Sequence, residues 1–254
     1  MKRMIMLLLG MVLLTGTAAF ATPSTQIWIP STDVQPYMKW HFGFDQYIKM
    51  EKADGTREAN TINNGITVGV LPFEKVQLEV GIDQRSYGVE PSSDSTPIYF
   101  NAKLGTPEGL LFTGSPALAV GGYDFGTNDY DVDPITLTGG GTDYNIVYAL
   151  AAKTFGGLGR VSVGYYQGSN KLLLDKNGMK DETGMLASWD RTVSELSDKL
   201  WVAVDYMSGD NSYGALSYGV AWKFAPNVGV ILGLDKYNNE NYKSTYTVQV
   251  DIDF

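Results

Sequence analysis

Three observations together predict an all-β chain folded as a closed antiparallel transmembrane β-barrel of about twelve strands. Residues at every second position are apolar through many consecutive stretches, most strictly in the last one. The connections between these stretches alternate between short Pro/Gly turns and longer polar loops. An apolar leader opens the chain, and no later stretch is apolar enough to form a membrane-spanning helix.

The leader has a basic start at Lys2 and Arg3, an apolar run from Met4 to Leu14, and the small-x-small sequence Ala19-Phe20-Ala21. This is the pattern of a secretory signal peptide over residues 1–21. The apolar run falls short of the ~18 residues expected of a spanning helix. Residues 22–37 carry Pro23, Pro30 and Pro36 and hold no period. They read as an extended periplasmic lead-in that can tuck into a barrel mouth through Ile27, Trp28 and Ile29.

The barrel is expected over residues 38–254. The first strand sets Met38, Trp40, Phe42, Phe44 and Ile48 against Lys39, His41, Gly43, Asp45, Tyr47 and Lys49. A period of two places such sets on opposite faces of a strand. The second strand is marked by Ile62, Ile66, Val68 and Val70, and the third by Val76, Leu78, Val80 and Ile82 against Gln77, Glu79, Gly81 and Asp83. The fourth opposes Ile98, Phe100, Ala102 and Leu104 to Tyr99, Asn101 and Lys103. A glycine-rich fifth strand near residues 117–125 alternates most weakly. Tyr144, Ile146, Tyr148, Leu150 and Ala152 define the sixth, and Val161, Val163 and Tyr165 the seventh. A shorter eighth strand near 185–191 is followed by a connection, residues 192–198, that can form a helical turn. The ninth to eleventh strands rest on Leu200, Val202, Val204 and Tyr206, on Leu216, Tyr218, Val220, Trp222 and Phe224, and on Val230, Leu232 and Leu234.

The twelfth strand is the clearest. Tyr246, Val248, Val250, Ile252 and Phe254 share one face, and Thr245, Thr247, Gln249, Asp251 and Asp253 the other. With the polar set turned inward, apolar residues face lipid, the sense expected of a membrane barrel. Short turns on the side of both chain ends and long loops on the other complete the pattern. Closure is required because an open sheet edge cannot be satisfied in lipid. Trp40, Phe73, Phe155, Trp222, Phe224 and Phe254 fall toward the turn end of their strands. Tyr99, Tyr144, Tyr165, Tyr206 and Tyr237 fall toward the loop end, as two interfacial belts require.

A strand that stops on an aromatic residue resembles the terminal strand of Gram-negative outer-membrane β-barrels. More loosely, the whole chain resembles the small twelve-stranded porin-like channels among them. The resemblance implies an assembly signal built on Tyr246, Ile252 and Phe254 and read by the barrel-assembly machinery. It also implies contact with outer-membrane lipid and lipopolysaccharide. The glycine usual five residues before the end is Gln249 here, so the signal matches in part.

The composition narrows the function. There are 19 Lys and Arg against 28 Asp and Glu, for a net charge of −9, which disfavours nucleic acid as a partner. Cysteine is absent, so neither disulfides nor thiol chemistry operate. His41 is the single histidine and is expected to face the lumen near the periplasmic end, away from any surface active site. Neither a catalytic residue nor a cofactor is expected. The acidic run Asn128-Asp129-Tyr130-Asp131-Val132-Asp133 lacks the glycine and glutamate of a calcium loop, since Pro134 and Gly140 stand in their places. No metal site is assigned there. Gly156-Gly157-Leu158-Gly159 is read as a turn rather than a phosphate-binding loop.

The inward set supplies the candidate lumen lining: Lys39, Asp45, Glu79, Asp83, Arg85, Lys103, Lys153, Arg160, Asp205, Lys223, Asp235 and Asp251, with Lys49 and Asp253 beside them. Charges in a low-dielectric lumen must be paired or wet. Twelve strands lie between filled eight-stranded barrels and open sixteen-stranded porins. The expected function is a narrow porin-like channel for passive diffusion of small hydrophilic solutes. The alternative is a non-conducting structural or adhesive barrel that binds surface partners through its long loops. The stretch Ala187-Ser-Trp-Asp-Arg-Thr192 carries no role that its residues alone assign.

Overall fold

The computed structural model describes residues 25–53, 56–57, 59–87, 97–127 and 141–254. The leader and the acidic run of residues 128–133 lie outside them.

Twelve antiparallel strands form the wall: β1 (Trp40–Lys49), β2 (Thr61–Gly69), β3 (Gln77–Ser86), β4 (Ile98–Thr106), β5 (Ala117–Phe125), β6 (Asp143–Thr154), β7 (Arg160–Gln167), β8 (Thr183–Thr192), β9 (Leu200–Met207), β10 (Ala215–Ala225), β11 (Val228–Tyr237) and β12 (Thr245–Asp253). Each pairs with its sequence neighbours, and β12 closes the ring on β1 with His41 opposite Asp253 and Lys49 opposite Thr245. The closing seam runs to the last residue: Phe254 N–H donates to Trp40 O at 2.9 Å. Strands of 8 to 12 residues, such as β7 and β6, suit a tilted membrane crossing.

Outward positions are apolar and accessible around the ring, as at Ile82, Phe100, Val120, Val163, Val204, Val220 and Leu232. An exposed apolar belt of this extent would be unstable in water and is the lipid face of a transmembrane barrel. Trp40, Phe155, Trp222, Phe224 and Phe254 stand exposed at the turn end, and Tyr165, Tyr206, Tyr218 and Tyr246 at the loop end. Three of the tyrosines expected in the loop-end belt are placed otherwise. Tyr99, Tyr144 and Tyr237 point inward, where Tyr99 stacks under Arg85 and the other two join a ring cluster.

The hydrophobic core lies inside the lumen. Residues 25–36, expected as a lead-in, form a strap within the barrel, with Gln26, Ile27, Ile29, Val34 and Gln35 buried. Ile29 packs with Ile146, Tyr148, Leu150, Tyr166, Leu173, Leu186, Met207 and Tyr213, and Ile27 with Trp201, Ala203 and Ile231. Each fully buried aliphatic side chain stabilises the fold by about 1.5–3 kcal/mol. This explains one reversal of the sequence reading. In β6 the larger apolar set, Ile146, Tyr148, Leu150 and Ala152, faces the strap, while Val147 and Ala149 face outward. Lys153 shares the outward parity, so it leaves the lumen lining.

Two boundaries also differ. Met38 has φ 58°, which breaks the alternation, so β1 starts at Trp40. The eighth strand spans ten residues rather than seven. The connection after it forms one helical turn, with Ser197 N–H donating to Val193 O at 3.0 Å. Loop 168–182 folds inward to place Leu173 in the core.

Candidate functional site

The strap is held by backbone and side-chain bonds at both ends. A tight turn, Gln26 N–H to Ile29 O at 2.7 Å, aims consecutive amides at the wall. The N–H groups of Ile27 and Trp28 donate to Asp205 Oδ2 at 2.8 and 3.1 Å. Gln249 donates to Ile27 O at 2.7 Å, and the Trp28 indole to Tyr213 O at 2.7 Å. A carboxylate that accepts two backbone amides is a strong, charge-assisted anchor.

Lower down, Arg160 bridges strap and wall, with Asp33 Oδ1 at 2.8 Å and Asp190 Oδ1 at 3.0 Å. Asp190 also accepts from Gln26 at 3.1 Å and from the Trp201 indole at 3.2 Å. Gln35 N–H donates to Glu79 at 2.6 Å, and Glu79 pairs with Lys103 at 3.0 Å. His41 places Nδ1 3.0 Å from Asp253 and Nε2 3.2 Å from Asp251. The strap leaves over Gly69, where a Cβ would lie 2.3 Å from Gln35 O and 2.0 Å from Pro36 O, so only glycine fits. Among the described residues, no group of three His, Cys, Asp or Glu is arranged to hold a metal.

The upper strap, Gln26 to Ile29, covers the β6–β11 side of the lumen. Its exit, Thr32 to Pro36, crosses β4, β3 and β2 at the turn end, with Val34 over Gly105, Gln35 on Glu79 and Pro36 over Gly69. The β1–β5 side stays open and holds two cavities. The deeper, about 150 Å³, is lined by His41, Asp45, Asn63, Asp83, Asn101 and Asp251 among others. The one toward the loops, about 290 Å³, is ringed by Trp28, Tyr47, Tyr87, Tyr144, Tyr213, Tyr237 and Tyr242, with Lys49 and Arg85. Trp28, Tyr47, Asn63, Arg85 and Tyr213 line both, so the two meet at one collar.

In the collar Arg85 reaches Asp124 Oδ1 at 2.9 Å and Oδ2 at 3.1 Å. Tyr213 Oη–H also donates to Asp124. Below it Asn63 donates to Asp45 at 3.3 Å and Asp83 at 3.0 Å, and Asn101 donates to Asp83 at 2.5 Å. Asp45 and Asp83 thus take amide donors while facing the cavity. Gly43, Gly65 and Gly122 leave this wall thin.

The structure sorts the expected lining into four groups. Asp45, Asp83, Arg85, Lys103, Glu79 and Asp251 meet at the deeper cavity. Arg160 and Asp205 hold the strap instead. Asp235 is buried against Thr245 at 2.9 Å, and Lys223 lies on the inward parity of β10 near the turns. Lys39 precedes β1 and is exposed at the turn-side rim, and Lys153 pairs there with Glu108 at 2.8 Å. Tyr246 and Phe254 are exposed on the outer face, and Ile252 shares their parity. Asp190, Asp33, Asp124 and Tyr213 went unassigned. For Asp190 the available signal was a charged residue on alternate parity with Trp189 in the unexplained 187–192 stretch.

No protein-family model matches the chain, and no curated protein matches its sequence. Among solved structures it is similar to the KdgM porin, at 9% identity, with a TM-score of 0.51 over 85% of this chain and 99% of that one. The same porin in complex with disordered oligogalacturonate aligns at 8% identity with a TM-score of 0.50, over 85% and 99%. The COG4313 outer membrane channel from Pseudomonas putida F1 is 14% identical, with a TM-score of 0.48 over 87% and 96%. The chain therefore has the closed-barrel fold seen in the KdgM porin.

Proposed function

We propose that this protein is a narrow outer-membrane channel for passive diffusion of small hydrophilic solutes. The observation that carries the reading is the pair of cavities joined at the Trp28–Tyr47–Asn63–Arg85–Tyr213 collar. Solute would pass along the β1–β5 wall, beside the strap. Asp45 and Asp83 face this route and take only amide donors, so a neutral or cationic solute fits better than an anion. The KdgM porin was solved with an acidic sugar; the carboxylates here argue for a different solute charge. Residues 1–21 act in this reading as the signal peptide of a Gram-negative cell. The terminal strand, with Tyr246, Ile252 and Phe254 on its lipid face, is what the barrel-assembly machinery recognises, and lipopolysaccharide surrounds the outer belt. No reaction is assigned to the barrel.

Planar-bilayer recording of the refolded protein tests this. Discrete conductance steps, altered by Arg85→Glu or Lys103→Glu, are expected. A folded barrel that stays silent at all voltages contradicts the proposal.

A further inference from the structure

On the lipid-facing wall of β1–β3 the apolar belt is interrupted by three amides, Gln46, Asn64 and Gln84. Register fixes their side: Phe44 stands opposite Asn64, and Asn64 opposite Gln84. Phe44 is on the outward parity of β1, and none of the three amides lines either cavity. Asn64 donates to Gln84 Oε1 at 3.2 Å, and Gln84 approaches Arg85 O at 3.5 Å. The Gln46 side chain makes no hydrogen bond to another described residue. Its outward neighbours are Phe44 and Ile48 along the strand, with Ile62 and Val248 across. It lies six residues along β1 from the exposed Trp40. A strand tilted by ~40° rises on the order of 15 Å over that distance, inside a ~25 Å apolar band and one outward position short of the loop-end belt, where Tyr246 stands opposite Ile48. Elsewhere on the outer wall polar residues sit at strand ends, as Lys153, Gln167, Arg191 and Lys236 do.

An amide in hydrocarbon is unfavourable unless its donors and acceptor are met, and lipid chains offer neither. We propose that the β1–β3 wall is the contact between two copies of this barrel within the membrane. Copies inserted in the same direction are related by a two-fold axis along the membrane normal, so a row of residues meets the same row reversed, at equal depth. A charged row would then meet like charge. Each amide carries both donors and an acceptor, so an amide row is complementary to itself. The flanking Phe44, Ile62, Ile66 and Ile82 supply apolar contact around it. This inference depends on the barrel spanning a membrane and is independent of whether it conducts.

The cysteine-free chain allows a clean test in phospholipid vesicles without lipopolysaccharide. With a short bismaleimide crosslinker, Gln46→Cys should give a covalent dimer, while Val163→Cys, on β7, should remain monomeric. The triple variant Gln46→Leu/Asn64→Leu/Gln84→Leu, which keeps a lipid-compatible surface, should shift single-molecule photobleaching from two steps to one while the heat-modifiable folded band persists. Equal crosslinking at both positions, or a monomeric parent protein, overturns the proposal. A parent that is monomeric in phospholipid but binds purified lipopolysaccharide through these three residues overturns it in favour of a lipid occupant.

Discussion

The two halves of the lumen solve different physical problems with the same strand geometry. Along β6–β11 the interior is a dry core: Ile27 and Ile29 of the strap pack on Ile146, Leu150, Trp201 and Ile231. Polar groups there are used as anchors, with Asp205 on two amides and Arg160 between two carboxylates. Along β1–β5 the cavity-facing residues are glycine, amide, carboxylate and tyrosine with His41, Lys49, Arg85 and Lys103 among them, and the space between them is open. A sequence alternates inside and outside in both halves. What differs is whether the inside has a packing partner: the strap supplies one along β6–β11 but touches β2–β4 only at the turn end, through Val34, Gln35 and Pro36.

The largest effect should come from deleting residues 25–36, which removes that difference. Conductance should rise several-fold, and both Ile-centred clusters should lose their packing. Urea unfolding in vesicles should show a large fall in stability, since each Ile truncated in such a core costs roughly 2–5 kcal/mol. Next comes Arg160→Leu. It leaves Asp33 and Asp190 without their cation, and losing one partner of a buried pair costs about 3–5 kcal/mol. Stability and conductance should both change, because the freed strap can move toward the open side.

Asp83→Asn sharpens the comparison from the other wall. The residue faces the cavity and receives amides from Asn63 and Asn101 on separate oxygens, so Asn, which keeps one acceptor, should cost about 1–3 kcal/mol. Cation over anion permeability, read from reversal potentials in a salt gradient, should fall about two-fold or more. The smallest effect belongs outside the membrane. Glu108 in the turn-side loop is partly buried, which opposes ionisation, but hydrogen bonds from Lys153 and Thr154 hold its carboxyl below the usual range. A depressed folded value means its contribution is full above the unfolded value and is lost as pH falls through the folded one. Glu108→Gln should therefore cost under about 1 kcal/mol at pH 7, and the difference from the parent should vanish in acid.

Strand number, closure and loop asymmetry were legible because they depend on local alternation and turn residues, which any barrel must display. The inward carboxylates of β1, β3 and β12 were legible by parity for the same reason. The strap was visible only as a proline-rich segment with three apolar residues, since nothing local states how deep it reaches. That missing partner misled the reading of β6, where both faces are apolar and the larger set looked like the lipid face. Asp190 was hidden for a related cause. Its role is fixed by Arg160, its cross-strand partner on β7, by Trp201 on β9 and by Gln26 of the strap, and the long loop 168–182 and the strap's path hide these meetings from local sequence.

The central claim is that the route follows one wall and the strap seals the other. Two single cysteines in this cysteine-free chain test it directly. Asn101→Cys lines the deeper cavity, and Ser162→Cys is buried on the strapped side. A hydrophilic methanethiosulfonate added during single-channel recording should step down the current through Asn101→Cys and leave Ser162→Cys unchanged. Block at Ser162→Cys with no effect at Asn101→Cys would contradict the account.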